Sequence, residues 1–138
     1  MKKILLLLVF DLFHIGHLNL LLKTKKKGDY LTVAIHNDIY KTKNIDFIHS
    51  LKDRIKIMKS INCVDNVISY TRIDLLIKKA DFDIFVYGPD QNHQYFQKAF
   101  QWCRAHNKKM IEIPKTPGIS STKIREILKS EKYINYHS

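Results

Sequence analysis

Lys3-Ile4-Leu5-Leu6-Leu7-Leu8-Val9-Phe10, cut off by Asp11-Leu12-Phe13-His14-Ile15-Gly16-His17-Leu18, decides how this chain is read. Seven consecutive apolar residues, Ile4 to Phe10, are too few to cross a membrane and suit a strand buried on both faces. The positive start Met1-Lys2-Lys3 superficially suggests a secretory signal, but the apolar stretch meets Asp11 directly and has no small-residue cleavage site. A strand that delivers an acid and two histidines bracketing a glycine into a helix start is suited to phosphate handling. The helix offers free N–H groups and its dipole to an anion, and glycine lets backbone come close.

Outward from that segment, strand candidates alternate with longer helical patterns. The strands are predicted at Lys3–Phe10, Tyr30–Ile35, Asn66–Tyr70, Ile84–Tyr87 and Met110–Ile113, each bounded by Gly, Asp, Pro or Asn. Helical spacing places Ile15, Leu18, Leu21 and Leu22 on one face, and Leu51, Ile55, Met58 and Ile61 on another. It recurs at Phe96, Ala99, Phe100 and Cys103, and in a shorter last helix at Ile124, Ile127 and Leu128. Right-handed crossovers then give an α/β fold, a doubly wound Rossmann-like parallel sheet with helices on both faces. Ligands in such sheets bind beyond the carboxyl ends of the strands. Phe10-Asp11 and Tyr87-Gly88-Pro89-Asp90 therefore point to the same rim.

The length, 138 residues with 45% hydrophobic content, suits one domain, placed at 1–132, with a loosely held tail at 133–138. Cys63 and Cys103 lie far apart without metal-like spacing, as expected of reduced thiols in a cytoplasmic protein. The formal net charge of +11 suggests nucleic acid as a partner, yet all but four of the 24 basic residues are lysines. The densest cluster, Lys23-Thr24-Lys25-Lys26-Lys27 before Gly28, has the composition of a helix C-terminus, and that explanation outweighs a nucleic-acid patch. Tyr95, Phe96, Phe100 and Trp102 within one helix are expected to pack in the core rather than stack on bases.

His14 and His17 near a helix start can form a cationic or hydrogen-bonding clamp for phosphate. No third ligand follows at useful spacing, so no metal site is assigned to them. In Lys115-Thr116-Pro117-Gly118-Ile119-Ser120-Ser121-Thr122-Lys123-Ile124, Pro and Gly break the chain after a strand, and Ser120 or Ser121 is a natural N-cap for the last helix. Hydroxyls and N–H groups there could hold a second part of a polyphosphate.

Together and in this order, Val9 to His17, Gly88 to Gln91 and Lys115 to Ile124 resemble the cytidylyltransferase branch of the His-x-Gly-His nucleotidyltransferase superfamily, closest to glycerol-3-phosphate cytidylyltransferases. The similarity runs nearly the whole chain, through Gly28-Asp29-Tyr30-Leu31, Asn37-Asp38 and His49-Ser50 before Arg54. The resemblance implies transfer of CMP from CTP to a phosphorylated alcohol with release of pyrophosphate. Mg2+ would be carried by the phosphates, and a homodimer is expected. It implies catalytic roles for His14, His17, Lys43 and Lys115, and nucleotide contacts for Val9, Phe10, Asp11, Gly16, Gly88, Asp90, Gln91, Ile119, Ser120, Ser121 and Thr122. Acceptor contacts would come from Asp11, Lys41 and Arg54.

The chain departs from that pattern at Leu8-Val9, where Gly-Thr is usual, at Ile45 for a lysine, and at Asn62 and Lys115 for arginines. Lysine at 115 keeps the charge but loses the planar fork that grips phosphate in two bonds. Three other readings compete. His14-Ile15-Gly16-His17 and Lys56 to Ser60 loosely match class I aminoacyl-tRNA synthetases, but the chain is too short for their other modules and Lys56 to Ser60 sits in an amphipathic helix. An adenylyltransferase acting on a sugar phosphate is the second, and a catalytically decayed nucleotide- or RNA-binding module the third.

Overall fold

A computed structural model describes residues 1–8, 12–37, 49–114, 117–118 and 121–129, with 121, 122 and 125 described as backbone only. The described residues form five strands, β1 (Lys3–Leu8), β2 (Tyr30–His36), β3 (Asn66–Tyr70), β4 (Ile84–Tyr87) and β5 (Lys109–Glu112). The helices are α1 (Ile15–Lys25), α2 (Leu51–Lys59), α3 (Ile73–Lys79), α4 (Gln94–Ala105) and α5 (Ser121–Lys129). All recorded pairings are parallel, in the order β3-β2-β1-β4-β5. The chain therefore winds outward from β1 to β3, crosses back, and continues from β4 to β5. Its topological switch point lies between β1 and β4.

β1 is central, and its pleat explains the uninterrupted leucines. Ile4, Leu6 and Leu8 enter one core with Leu21 of α1 and Met58 of α2, while Leu5 and Leu7 enter the other with Ile73 and Ile77 of α3 and Phe96 and Phe100 of α4. A strand covered on both faces has no polar side to present. Phe96, Phe100 and partly buried Trp102 pack in that second core, as the sequence predicts. Cys63 borders the first core and Cys103 lies in the second, and both are free thiols.

The strand expectations hold to within a residue or two, although Val9 and Phe10 lie outside the described residues. Three details differ. In α1 the buried stripe runs through Leu21 and Thr24, while Ile15 and Leu22 stand 56% and 47% exposed. In α5, Ile127 and Leu128 are exposed rather than buried. Finally, Gly28 lies two residues beyond the Lys26 C-cap of α1 rather than directly after the helix, and Gly118 alone among the described glycines has positive φ. Close approach constrains Gly28 instead: a Cβ there would meet Ile4 Cγ1 at 2.8 Å and the Lys2 carbonyl at 2.9 Å.

The basic run beside it is partly spoken for. Lys25 Nζ donates to Asp65 Oδ2 at 2.5 Å and to the Asp29 carbonyl at 2.9 Å, and the same Oδ2 accepts from Leu31 N–H at 2.8 Å. Lys25 thus ties the end of α1 to β2 and to the turn entering β3, in keeping with the helix-end reading. Among the described residues, no helix is long and apolar enough to cross a membrane.

Candidate active site at the carboxyl edge of the sheet

The site is built where β1, β2 and β4 end. His14 is the N-cap of α1, in extended conformation (φ −145°, ψ 177°), and its Nδ1 accepts from Gly16 N–H at 3.0 Å. The backbone N–H of His14 donates to Nδ1 of His17 at 3.2 Å, closing a reciprocal capping box. Two histidines thus do the work that Ser and Glu usually share. Because each Nδ1 accepts, the proton of each neutral ring resides on Nε2.

Helix phase explains why His17 is sheltered. It lies four and seven residues before Leu21 and Thr24, on the stripe that α1 turns toward the core. Its ring stacks on Phe13 at 5.7 Å and lies 3.9 Å from that of His14. Burial, with a smaller contribution from neighbouring His14, pushes its pKa down to about 4. Burial also lowers His14. Of the two clamps the sequence allows, a cationic one and a hydrogen-bonding one, the second describes this pair at neutral pH.

The turn after β4 lies at the same edge of the sheet. Gln91 N–H donates to the Gly88 carbonyl at 3.2 Å, with Pro89 at the position that favours its fixed φ. The Gln91 side chain accepts from Gly88 N–H at 2.9 Å and donates to the Leu7 carbonyl of β1 at 3.3 Å. A Cβ on Gly88 would touch nothing within 4 Å, so the mouth beside this turn is open. Asp90 stands exposed on the turn.

Arg54 of α2 is 0% exposed, and its Nη1 donates to the His36 carbonyl at the end of β2 at 3.0 Å. His36, 3% exposed, meets Tyr70 edge-on at 5.2 Å, and burial holds its imidazole below the usual range. Sequence inspection did not select His36. Its only signal was a polar residue ending an apolar strand.

Of the expected site residues, His14, Gly16, His17, Arg54, Gly88, Asp90 and Gln91 are described, and they cluster at the ends of β1, β2 and β4 or on the helices that follow. Ser121 and Thr122 open α5, with backbone alone described. Val9, Phe10, Asp11, Lys41, Lys43, Ile45, Lys115, Ile119 and Ser120 lie outside the described residues. Among the described residues, no group of three His, Cys, Asp or Glu could hold a metal ion, so this part of the chain offers no protein cage for Mg2+.

A family model described as cytidylyltransferase-like matches residues 9–127. The chain belongs to the cytidylyltransferase-like family. It is 36% identical to a glycerol-3-phosphate cytidylyltransferase of Bacillus spizizenii over 94% of this chain and 99% of that one. It is 35% identical to an FAD synthase of Thermococcus kodakarensis over 77% of this chain and 75% of that one. The fold matches the crystal structure of the lipopolysaccharide core biosynthesis protein of Thermoplasma volcanium, with TM-score 0.69 and 22% identity over 84% of this chain and 97% of that one. The Lys56 to Ser60 stretch lies in α2 and its C-cap, as its amphipathic pattern predicts.

Proposed function

We propose that this cytidylyltransferase-like enzyme transfers CMP from CTP to a phosphorylated alcohol of the glycerol-3-phosphate type. An oxygen of the acceptor phosphate attacks the α-phosphorus, the bond to the β-phosphate breaks, and pyrophosphate leaves. The acceptor is already a competent nucleophile, so the protein has to align the reactants and neutralise charge moving onto the leaving group. The observation that carries this reading is the His14–His17 capping box, in which both rings accept through Nδ1 and therefore donate through Nε2 at the N-terminus of α1.

In this reading His14 and His17 donate to the triphosphate, with Lys43 and Lys115 beside it. Val9, Phe10, Asp11, Gly16, Gly88, Asp90, Gln91, Ile119, Ser120, Ser121 and Thr122 surround the nucleotide. Asp11, Lys41 and Arg54 face the acceptor. Mg2+ carried by the nucleotide phosphates would supply charge neutralisation there. The working form is a cytoplasmic homodimer, with residues 1–132 as the domain and 133–138 as a tail.

Adenylyl transfer is the second reading, favoured by the similarity to FAD synthases, because FAD is an adenine dinucleotide. Pyrophosphate release measured with each of the four NTPs against glycerol phosphate, phosphoethanolamine, phosphocholine, FMN and sugar phosphates separates the two. CTP with a phosphorylated alcohol is the expected pair. No turnover with any pair, together with RNA retention at physiological salt, would overturn the enzyme reading. Light scattering of the same preparation tests the dimer.

A further inference from the structure

We infer that Gln91 is a positioning residue, a carboxamide strut that sets the spacing between β1 and β4 where the nucleotide enters. This inference rests on the nucleotidyl-transfer reading and refines one of its parts, since the resemblance makes Gln91 a nucleotide contact. The recorded pairing of β1 with β4 runs from Ile4↔Ile84 to Leu6↔Val86 and goes no further. Among the described residues, a side chain then adds a bond from the turn after β4 back to β1. Gln91 Oε1 accepts from Gly88 N–H at 2.9 Å, and Gln91 Nε2 donates to the Leu7 carbonyl at 3.3 Å. The amide plane therefore spans from β4's turn to β1 at the topological switch point, where a doubly wound sheet binds its ligand.

A planar carboxamide, with an acceptor at one end and a donor at the other, bridges an N–H and a carbonyl in this way. The backbone of the same turn fixes the strut, because Gln91 N–H bonds to the Gly88 carbonyl at 3.2 Å and Pro89 restricts the route between them. One N–H of the carboxamide and one lone pair remain, so a direct contact with the base is chemically open. The two roles predict different behaviour when the donor is replaced by an acceptor.

Gln91→Glu keeps the shape but presents a carboxylate to the Leu7 carbonyl. Protonation restores the donor, so this variant carries its own rescue. The affinities of the full chain for CTP, ATP, GTP and UTP are measured by calorimetry from pH 8 to pH 5, for wild type and variant side by side. A strut predicts that the variant binds about tenfold more weakly at pH 8, by the same factor for every nucleotide it binds. The gap to wild type narrows as the pH falls toward the carboxylate range. A changed order of preference among the four nucleotides, or a gap that does not narrow with pH, would overturn the strut.

Hydrogen exchange of the Gly88 amide, followed by NMR in wild type and Gln91→Ala, reads the strut without any nucleotide. Protection in wild type and its loss in the variant are expected, and equal exchange in both would overturn the inference. Should wild type bind no nucleotide at all, the transfer reading fails, while the exchange measurement still decides on Gln91.

Discussion

His14 and His17 hold each other in place, His14 N–H donating to His17 Nδ1 at 3.2 Å while their ring centroids lie 3.9 Å apart. This bond fixes the orientation and tautomer of the His17 ring, and the bond from Gly16 N–H to His14 Nδ1 does the same for His14, so each Nε2–H is set before any phosphate arrives. Preorganised donors of this kind cost no reorganisation when charge develops. The same atoms also cap α1, which ties local helix stability to the chemistry proposed for the site.

Substitution at His14 can separate those two roles. Asparagine is among the best N-cap residues, whereas alanine caps poorly. His14→Asn should therefore keep thermal stability close to wild type, and His14→Ala should lose about 1 kcal/mol. Turnover should fall by about 100-fold or more in both, since neither supplies an Nε2–H. His17→Ala should abolish turnover with the far-UV circular dichroism unchanged. Pyrophosphate release and thermal melts on the three variants check this, and near-wild-type turnover in His17→Ala would remove the histidine clamp from the mechanism.

Stability should depend on pH through His17. Its folded-state pKa is about 4 against an ordinary value of 6.5. The folded protein thus binds fewer protons than the unfolded chain between those values. Stability is complete above pH 6.5 and is lost as the pH falls from 6.5 toward 4, with the lowered His14 and His36 acting in the same direction. The His17 share is on the order of 2 kcal/mol once partial solvent contact is allowed for. Urea unfolding between pH 7 and pH 4 should show this slope, and His17→Asn should flatten it. An equal slope in both proteins would place the proton uptake elsewhere.

The fold was legible because β1 is apolar without alternation, which only a strand covered on both faces requires, and because helices recur between the remaining strands. The face of α1 was not legible. Leu18, Leu21 and Leu22 satisfy a helical period in more than one phase, and the cap at His14 selects the phase that buries His17, Leu21 and Thr24 and leaves Leu22 outside. α3, seven residues between β3 and β4, was too short to show a distinct apolar face. At the candidate site, residue types at helix starts and strand ends were enough to mark out His14, His17 and Gly88 as candidates, and the structure places them at the carboxyl edge of the sheet or on the helix that follows. The bridge of two hydrogen bonds made by Gln91 was hidden, because one partner, Leu7, is 84 residues away and offers only a backbone carbonyl.

Two glycines should respond oppositely to alanine. At Gly28 a Cβ would meet Ile4 Cγ1 at 2.8 Å, Ile4 Cδ1 at 2.9 Å and the Lys2 carbonyl at 2.9 Å. Two of these atoms belong to a core side chain and one to backbone, so Gly28→Ala should cost about 1–3 kcal/mol. At Gly88 the Cβ would meet nothing within 4 Å, so Gly88→Ala should leave stability within about 0.5 kcal/mol of wild type. Because that open space borders the proposed nucleotide crevice, the KM for CTP should rise. Chemical denaturation with steady-state kinetics tests both, and a Gly88→Ala enzyme with unchanged KM would place the nucleotide away from this turn.

Arg54 combines a structural commitment with the role proposed toward the acceptor. Its side chain is fully buried and its Nη1 bonds to the His36 carbonyl at 3.0 Å, so truncation leaves both a cavity and an orphaned carbonyl. Arg54→Ala should lose about 3 kcal/mol, combining the lost packing with the lost charge-assisted hydrogen bond. Arg54→Lys retains the charge without the fork and should lose less. If part of the guanidinium also serves the acceptor phosphate, Arg54→Lys should raise the acceptor KM severalfold while moving the nucleotide KM little. A common shift in both constants would mean that Arg54 acts only by holding α2 against the end of β2, and the acceptor phosphate would then have to be bound by other residues.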